Sequence, residues 1–188
     1  YLTIEVGPND LEDAVKGAKA MGFQGFNCTI PHKVKVIDYL DGLGESASLM
    51  GAVNCVVRKD GKWIGENTDG KGFVSSLKEL TDPDGKNVVI FGAGGAARAI
   101  SVEVALAGSS SVTIVNRSRE RGEELTNLLN DKLPVSADFV AWNSTFSIPS
   151  DTDVVINATS IGLYPDIEAR LDFAHESLLP NMVVADVI

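Results

Sequence analysis

A short apolar run, NVVIF at residues 87–91, leads directly into the glycine-rich segment GAGGAARA at residues 92–99. Gly92, Gly94 and Ala97 have the spacing G-x-G-x-x-[G/A], in which the first glycine makes a tight turn and the second lets the backbone approach a pyrophosphate. The N-terminus of a following helix supplies N–H donors and a favourable field for phosphate. A flexible loop of small residues is the alternative. Between a strand and a helix, however, this spacing predicts a dinucleotide site.

The segment after the next strand indicates which dinucleotide is bound. The strand SVTIVN ends at Asn116 and is followed by RSRER at residues 117–121. An NAD site usually places Asp or Glu at this point, to hold the ribose 2′-hydroxyl. Arginines can instead grip a 2′-phosphate bidentately. A solvated charge run is the alternative, but arginine in the first turn of a helix is unfavourable without a nearby anion. The sequence therefore favours NADP.

The second half of the chain alternates apolar strands with helices. We predict strands at 87–91, 111–116, 137–142, 153–158 and 182–187, with helices in the Ala-rich segment that ends near Gly108 and at 118–130. Apolar strands alternating with helices imply a parallel sheet buried on both faces. The segment TDPDGK at residues 81–86 marks a predicted domain boundary, which gives domains 1–82 and 83–188.

The first half has mixed periodicity, which predicts a smaller α/β domain. Strands are predicted at 2–6 and 24–30, helices at 11–22, 32–40 and 45–50, a hairpin at 54–65, and a further helix within 67–80. Leu11, Ala14, Val15, Ala18 and Met21 fall on one face of the first helix. The predicted fold class is thus α/β, with an N-terminal α/β substrate domain followed by a Rossmann-like doubly wound domain.

Composition excludes several classes of partner. The 188 residues carry a formal charge of −10, whereas sequence-independent binding to nucleic acid or anionic lipid needs basic patches. No apolar stretch is long enough to span a bilayer. The two cysteines and two histidines do not form a ligand set for zinc, since Pro31 interrupts the helical geometry between Cys28 and His32. We expect a cytoplasmic protein with reduced cysteines, no metal and a small-molecule substrate, either a monomer or a homodimer.

Six segments resemble, in order along the chain, motifs of the shikimate dehydrogenase family, whose members reduce 3-dehydroshikimate with NADPH. They are GFNCTIPHK at 25–33, GAVNCVV at 51–57, GENTDGKGF at 65–73, the glycine turn at 92–99, NRSRER at 116–121 and NATSIG at 157–162. The resemblance implies NADP-dependent, reversible oxidation of shikimate to 3-dehydroshikimate in aromatic amino acid (chorismate) biosynthesis.

The resemblance also implies roles for individual residues. Lys33 and Asp69 would form the catalytic pair, and the substrate-binding residues would be Asn27, Thr29, Lys33, Asn54 and Asp69. The cofactor-binding residues would be Glu45, Gly92, Ala93, Gly94, Gly95, Ala96, Asn116, Arg117, Ser118, Arg121, Thr159 and Val187, with the last two near the nicotinamide.

The chain departs from the family pattern in two ways. Cys28 and Cys55 stand where the family commonly has Val and Thr, a change that affects packing more than chemistry. The family's Ser-x-Ser, which holds the substrate carboxylate, would precede Tyr1, and its closing helices would follow Ile188. We therefore expect the first domain to lack an N-terminal strand and helix and the second to lack its C-terminal helices.

The position of Lys33 suits the chemistry that the resemblance implies. Oxidation of a secondary alcohol by hydride transfer requires a proton to be moved at the same oxygen. Lys33 follows Pro31 at the predicted start of a helix, where the dipole favours a neutral amine that can accept this proton. The alternative is an exposed surface lysine, and for Asp69 an N-cap of the following helix. His32 is interpreted as structural or solvent-facing.

Three other functions are compatible with the motifs. One is a quinate or aminoshikimate dehydrogenase, and a more distant one is a methylenetetrahydrofolate dehydrogenase. The third belongs to another class, a non-catalytic protein that senses shikimate-like ligands. Such a sensor would be expected to lose the Lys–Asp pair or the glycine turn, and this sequence keeps both.

Overall fold

A computed structural model describes residues 1–187, and the chain divides into two compact units, residues 1–68 and residues 69–188. Ile188, the last residue of the predicted second domain, lies outside the described residues. The units divide earlier than the predicted boundary at 82/83. The difference arises from the helix Asp69–Leu77, which packs against the helix Gly95–Leu106 of the second unit.

The first unit contains a four-stranded mixed sheet and three short α-helices. Its elements are α1 (Leu11–Ala20), β1 (Gly25–Asn27), α2 (His32–Lys35), β2 (Gly42–Leu43), α3 (Glu45–Met50), β3 (Cys55–Lys59) and β4 (Lys62–Glu66), with 3₁₀ turns at Pro8–Asp10 and Val36–Tyr39. The strand order is β1-β3-β4-β2. The predicted hairpin is confirmed, because β3 and β4 pair antiparallel around Asp60 and Gly61, which both have positive φ as a type I′ turn requires.

The core of the first unit forms between α1 and the sheet. Leu11, Val15 and Ala18 are buried as predicted and pack in one cluster with Val56 and Trp63. Two members of the predicted face differ. Ala14 is half-buried, and Met21 is 68% exposed because the helix ends at Ala20 and its periodicity no longer applies there.

Three predictions in the first unit are wrong in part or in whole. Residues 2–6 form no strand, since alternation produces a strand only where a neighbouring strand accepts its hydrogen bonds, and this segment pairs with none in the sheet. The strand predicted at 24–30 is limited to β1. The helix predicted at 32–40 changes to a 3₁₀ turn at Val36, in a segment rich in β-branched residues that lower helix propensity.

The second unit has a five-stranded parallel sheet, which confirms the predicted Rossmann-like architecture. Its elements are α4 (Asp69–Leu77), β5 (Asn87–Phe91), α5 (Gly95–Leu106), β6 (Ser111–Asn116), α6 (Arg119–Lys132), β7 (Ser136–Ala141), β8 (Val154–Asn157) and β9 (Val183–Asp186), with a 3₁₀ turn at His175–Ser177. The strand order is β7-β6-β5-β8-β9, so the direction of winding reverses between β5 and β8. Ligands of open parallel sheets bind at this reversal, beyond the carboxyl ends of the strands.

Close packing fixes the elements around that point. All four residues of β8 are buried, as expected of a central parallel strand. A Cβ at Gly70 would overlap the carbonyl oxygen of Ala99, so α4 can approach α5 closely only because residue 70 is glycine. Within residues 1–187, no helix combines the length and apolar character needed to cross a membrane.

Candidate active site and dinucleotide site

The loop after β1 carries three of the predicted substrate-site residues. Asn27 ends the strand, and the chain then runs through Thr29 to Lys33 in the first turn of α2. Backbone hydrogen bonds hold this loop at both ends: the Cys28 N–H donates to the Asn54 carbonyl (2.8 Å), and the Val53 N–H donates to the Lys33 carbonyl (2.7 Å). The loop is therefore fixed against residues 53–54. Asn27 and Thr29 are exposed and Lys33 is half-buried.

Asn54 links this loop to the end of β4. Its side chain is 8% exposed; its Nδ2 donates to Thr68 Oγ1 (3.0 Å), and its Oδ1 accepts from the Thr68 N–H (2.9 Å). Its carbonyl also accepts from Asn27 Nδ2 (3.2 Å). The Asn54 amide thus contributes to the position of Thr68, the residue directly before Asp69.

Asn67 is a polar residue of this region to which the sequence analysis assigned no role. It is 3% exposed, and its Nδ2 donates to the Ala52 carbonyl (3.1 Å). A buried amide is costly unless it is hydrogen-bonded, and the bond to Ala52 offsets part of that cost while fixing the end of β4 against residue 52. The signal available from sequence was its place two residues before Asp69. Asp69 itself is exposed and begins α4.

His32 has a structural contact, as interpreted from the sequence. Its Nε2 lies 2.8 Å from the Val6 carbonyl, which ties the N-terminal segment to the start of α2. Both cysteines are free thiols. Burial raises the pKa of Cys28 to about 11, and Cys55 acts in the same direction while the Lys33 ammonium opposes it. The Cys28 thiol therefore stays protonated at neutral pH and is a poor nucleophile.

Glu45 lies apart from this loop in the fold, at the first residue of α3, and is exposed. Residues 1–187 contain no group of three or more His, Cys, Asp or Glu side chains placed to hold a metal ion.

The glycine turn follows β5 at the reversal point of the parallel sheet. Gly92 has φ +113°, and a Cβ there would lie 2.7 Å from the Ala158 carbonyl oxygen, so only glycine fits between β5 and the turn after β8. Gly94 has extended backbone at the N-cap of α5, and a Cβ at Gly94 or Gly95 would meet nothing within 4 Å. The backbone of Gly94 and Gly95 is thus open to an approaching ligand, as a bound pyrophosphate requires.

A cavity of about 330 Å³ joins the glycine turn to α6. Its lining consists of Ala93, Gly94, Gly95, Arg98, Arg121, Glu124 and Leu125. Arg121 is therefore brought beside the glycine turn. Two charged residues here were not identified from sequence: Arg98 pairs with Glu124 (Nη1 to Oε1, 2.8 Å), and its buried Nε has no hydrogen-bond partner among residues 1–187. The signal for Glu124 was its place one helical turn after Arg121, and the signal for Arg98 was its place within the glycine-rich segment 92–99.

The other residues of the predicted phosphate clamp lie at the start of α6. Ser118 is the N-cap, with its hydroxyl accepting from the Arg121 N–H at 3.5 Å, and Asn116 Nδ2 donates to the Ser118 carbonyl (2.9 Å). Arg117 is exposed. Arg119 differs from its neighbours, because its guanidinium pairs with Glu123 (2.7 Å) and lies 5.6 Å from the centre of the Phe139 ring.

Thr159 and Val187, predicted to lie near the nicotinamide, are both bonded to Asn157 at the end of β8. The Asn157 side-chain oxygen accepts from the Thr159 hydroxyl (2.8 Å), and the Asn157 carbonyl accepts from the Val187 N–H (3.2 Å). Asn157 is the first residue of the NATSIG motif, and the sequence alone indicated no role for it.

Two-domain dinucleotide-dependent dehydrogenases share these features, namely a Rossmann-like unit with an open glycine turn and a cationic cavity, preceded by an α/β unit with a polar loop. Residues 1–56 match the family model described as shikimate dehydrogenase substrate binding domain, and residues 75–168 match the one described as shikimate / quinate 5-dehydrogenase. The chain belongs to the shikimate dehydrogenase family. Residues 57–74 fall in neither match, so the matches do not decide where the domains divide.

Individual relatives agree with that family. The shikimate dehydrogenase (NADP(+)) of Methanocaldococcus jannaschii is 42% identical over 190 residues, covering 100% of this chain and 67% of the relative. The crystal structure of Listeria monocytogenes shikimate 5-dehydrogenase in complex with shikimate and NAD has a TM-score of 0.91 at 35% identity, covering 100% of this chain and 68% of that one.

A third relative is more similar in sequence. The ligand-free crystal structure of 5-ketofructose reductase from Gluconobacter sp. strain CHM43 has a TM-score of 0.94 at 56% identity, covering 98% of this chain and 66% of that one. The present chain thus spans about two thirds of the length of the relatives that it matches.

Proposed function

We propose that the protein is an NADP-dependent shikimate dehydrogenase that oxidises shikimate reversibly to 3-dehydroshikimate in aromatic amino acid biosynthesis. The observation that carries this proposal is the cavity shared by the glycine turn and Arg121, in a chain of this family. Bare backbone at Gly94 and Gly95 suits a pyrophosphate, and guanidinium groups suit a 2′-phosphate. The name of the M. jannaschii relative, which specifies NADP, supports the same choice of cofactor.

In this proposal the predicted site residues form a proton-transfer pair, a substrate-binding set and a cofactor-binding set. Bound NADP supplies the hydride acceptor. Lys33 accepts the proton of the reacting hydroxyl during oxidation and returns it during reduction, and Asp69 is the other member of the proposed catalytic pair. Asn27, Thr29 and Asn54 bind the substrate's other hydroxyl groups. Glu45, Asn116, Arg117, Ser118, Thr159 and Val187 complete the cofactor site.

A second candidate function is the reduction of 5-ketofructose. It is favoured by the 56% identity to the Gluconobacter enzyme, which exceeds the 42% identity to the M. jannaschii enzyme. Both reactions interconvert a ketone and a secondary alcohol, so the same proton transfer serves either. They differ in the substrate's charge, since shikimate carries a carboxylate and 5-ketofructose does not. Quinate and aminoshikimate are the other substrates to be compared.

Initial rates with the full-length protein test these alternatives. We expect shikimate with NADP⁺ to give the highest kcat/KM among shikimate and quinate, each with NADP⁺ and NAD⁺. A higher kcat/KM for 5-ketofructose with NADPH than for 3-dehydroshikimate with NADPH would select the second candidate. Binding of shikimate without any turnover would select the sensor instead.

The proposal extends to the protein's setting. We propose a cytoplasmic protein, monomeric or homodimeric, that binds neither nucleic acid nor membrane, in keeping with its net charge of −10. Light scattering after size exclusion measures the oligomeric state, and a trimer or larger assembly would contradict it.

A further inference from the structure

Asn157 forms hydrogen bonds both to the turn after β8 and to the end of the neighbouring strand β9. It is the last residue of β8 and is 7% exposed. Its Oδ1 accepts from both the N–H (3.1 Å) and the hydroxyl (2.8 Å) of Thr159. Its Nδ2 lies 3.2 Å from each carboxylate oxygen of Asp186, the last residue of β9, and its carbonyl accepts from the Val187 N–H (3.2 Å).

These bonds determine the shape of the turn after β8. The Thr159 hydroxyl, held by Asn157, accepts in turn from the Ile161 N–H (3.0 Å). The same turn lies against the glycine turn, because a Cβ at Gly92 would contact the Ala158 carbonyl and the Thr159 nitrogen. A change at Asn157 would therefore displace Thr159 at the point where the two turns meet.

Packing alone does not account for an asparagine here. The other three residues of β8 are apolar and buried, and an amide at such a place is costly unless its groups are bonded. The Asn157 oxygen bonds to the turn after β8, and its nitrogen bonds to the end of β9. An apolar residue of similar size would fill the space and leave both strand ends without this link.

We propose that Asn157 is a positioning residue for the nicotinamide end of the dinucleotide: it sets Thr159 directly and Val187 through the end of β9, without itself touching the substrate. The inference rests on the proposed dinucleotide function and deepens it. Misplacement of a reacting group by about 1 Å can cost on the order of 10²-fold in rate. Loss of the Asn157 bonds should therefore lower kcat while the phosphate end of the cofactor still binds.

A donor–acceptor exchange tests this role. Asn157→Asp keeps an oxygen for Thr159 but brings a second carboxylate next to Asp186, so we expect kcat to fall by about 10–10²-fold. Adding Asp186→Asn moves the amide donor to the other side of the same hydrogen bond and should restore most of kcat. Affinity for the cofactor fragment 2′-phospho-ADP-ribose, which lacks the nicotinamide, should change by less than about twofold in both variants.

Asn130→Asp is the matched control. Asn130 also ties two elements of this unit together, since its Nδ2 donates to the Ala137 carbonyl (2.8 Å) and its Oδ1 accepts from the Ala137 N–H (2.9 Å). It lies at the other end of the sheet, where β7 begins. We expect Asn130→Asp to lower the melting temperature without the loss of kcat that Asn157→Asp shows.

The outcomes separate this inference from the proposed function. If Asn157→Asp only lowers the melting temperature and keeps the parent kcat, or if the double variant is no better than the single one, the positioning role is wrong. If the parent turns over none of the substrates but binds NADPH, the proposed function fails. The fluorescence spectrum of bound NADPH then tests the positioning role of Asn157. A spectral change in Asn157→Asp that the double variant reverses supports this role, and an unchanged spectrum overturns it. A parent that does not bind NADPH overturns both.

Discussion

The two units present their ligand groups in different ways. In the second unit the proposed cofactor-binding groups lie at the ends of buried parallel strands, and many are backbone N–H groups or side chains in the first turns of α5 and α6. In the first unit three of the proposed substrate-binding residues lie between the end of β1 and the first turn of α2, in a segment that hydrogen bonds hold against residues 53–54. A site built on a regular sheet follows from local sequence rules, whereas a site on an irregular loop depends on contacts distant in sequence.

The largest effect is expected from Lys33→Met, which keeps the length of the side chain and removes the amine. Proton transfer by a positioned group is worth about 10²–10⁴-fold, so kcat should fall by that factor. Lys35→Met is the matched control on the same short helix, because Lys35 pairs with Asp38 (2.7 Å) and should change kcat little. Steady-state rates of both variants, with folding checked by thermal melts, make the comparison. Equal kcat values for parent and Lys33→Met would remove the proton-transfer role.

Arg121→Ala tests whether a residue of the second unit determines the preference for NADP over NAD. Losing a charged hydrogen-bond partner costs about 1.5–3 kcal/mol, so the KM for NADP⁺ should rise about 10- to 10²-fold while that for NAD⁺ changes far less. Arg119→Ala is the control, since Arg119 is engaged by Glu123 and Phe139. Equal changes in KM for the two cofactors would show that Arg121 does not bind the 2′-phosphate.

Two glycines of the same turn should respond differently to alanine. Gly92→Ala forces a side chain into positive φ and against the Ala158 carbonyl, which should cost about 2 kcal/mol or more of folding free energy. Gly94→Ala has ordinary backbone and open space, so stability should stay near the parent value while NADP⁺ binding weakens, because the new methyl group keeps the backbone from the phosphates. Urea unfolding and cofactor titration measure the two effects. The reverse pattern would contradict the account of the turn.

The smallest effect is expected at Asp153. This residue directly precedes β8, and its carboxylate accepts a hydrogen bond from the N–H of Asn87, the first residue of β5. The hydrogen bond from the Asn87 N–H lowers the pKa of Asp153, and the nearby Lys86 lowers it further. Burial raises the pKa but is outweighed, so the net shift is downward. A lowered folded-state pKa gives stability that is present above the ordinary Asp pKa of about 3.9 and is lost as pH falls through the lower folded value. Asp153 is one third exposed, so Asp153→Asn should cost only about 0.5 kcal/mol at pH 7. Urea unfolding should show this difference shrinking in acid; a difference that grows in acid would reverse the assigned sign.

The same contrast explains what sequence could predict. The parallel sheet and α5 follow from alternating apolar runs and a glycine spacing, and the hairpin from an Asp-Gly turn. The strand predicted at 2–6 is wrong because a strand also needs a partner strand to hydrogen-bond with, and the local sequence does not show whether one is present. Arg98, Glu124 and Asn157 received no role because their significance comes from neighbours that only the folded sheet brings near. Asn67 was passed over for the same reason, since its partner, Ala52, is distant in sequence.

The proposed mechanism assigns the 2′-phosphate of NADP to Arg121 of the second unit and the proton transfer to Lys33 of the first unit. It is tested most directly by measuring, side by side, the NADP⁺ dissociation constant and kcat of the full-length parent, Lys33→Met and Arg121→Ala. The account predicts that Lys33→Met binds NADP⁺ like the parent yet loses about 10²–10⁴-fold in kcat. It also predicts that Arg121→Ala binds NADP⁺ about 10- to 10²-fold more weakly and turns over near the parent rate at saturation. A Lys33→Met variant that turns over like the parent, or an Arg121→Ala variant that binds NADP⁺ like the parent, would contradict it.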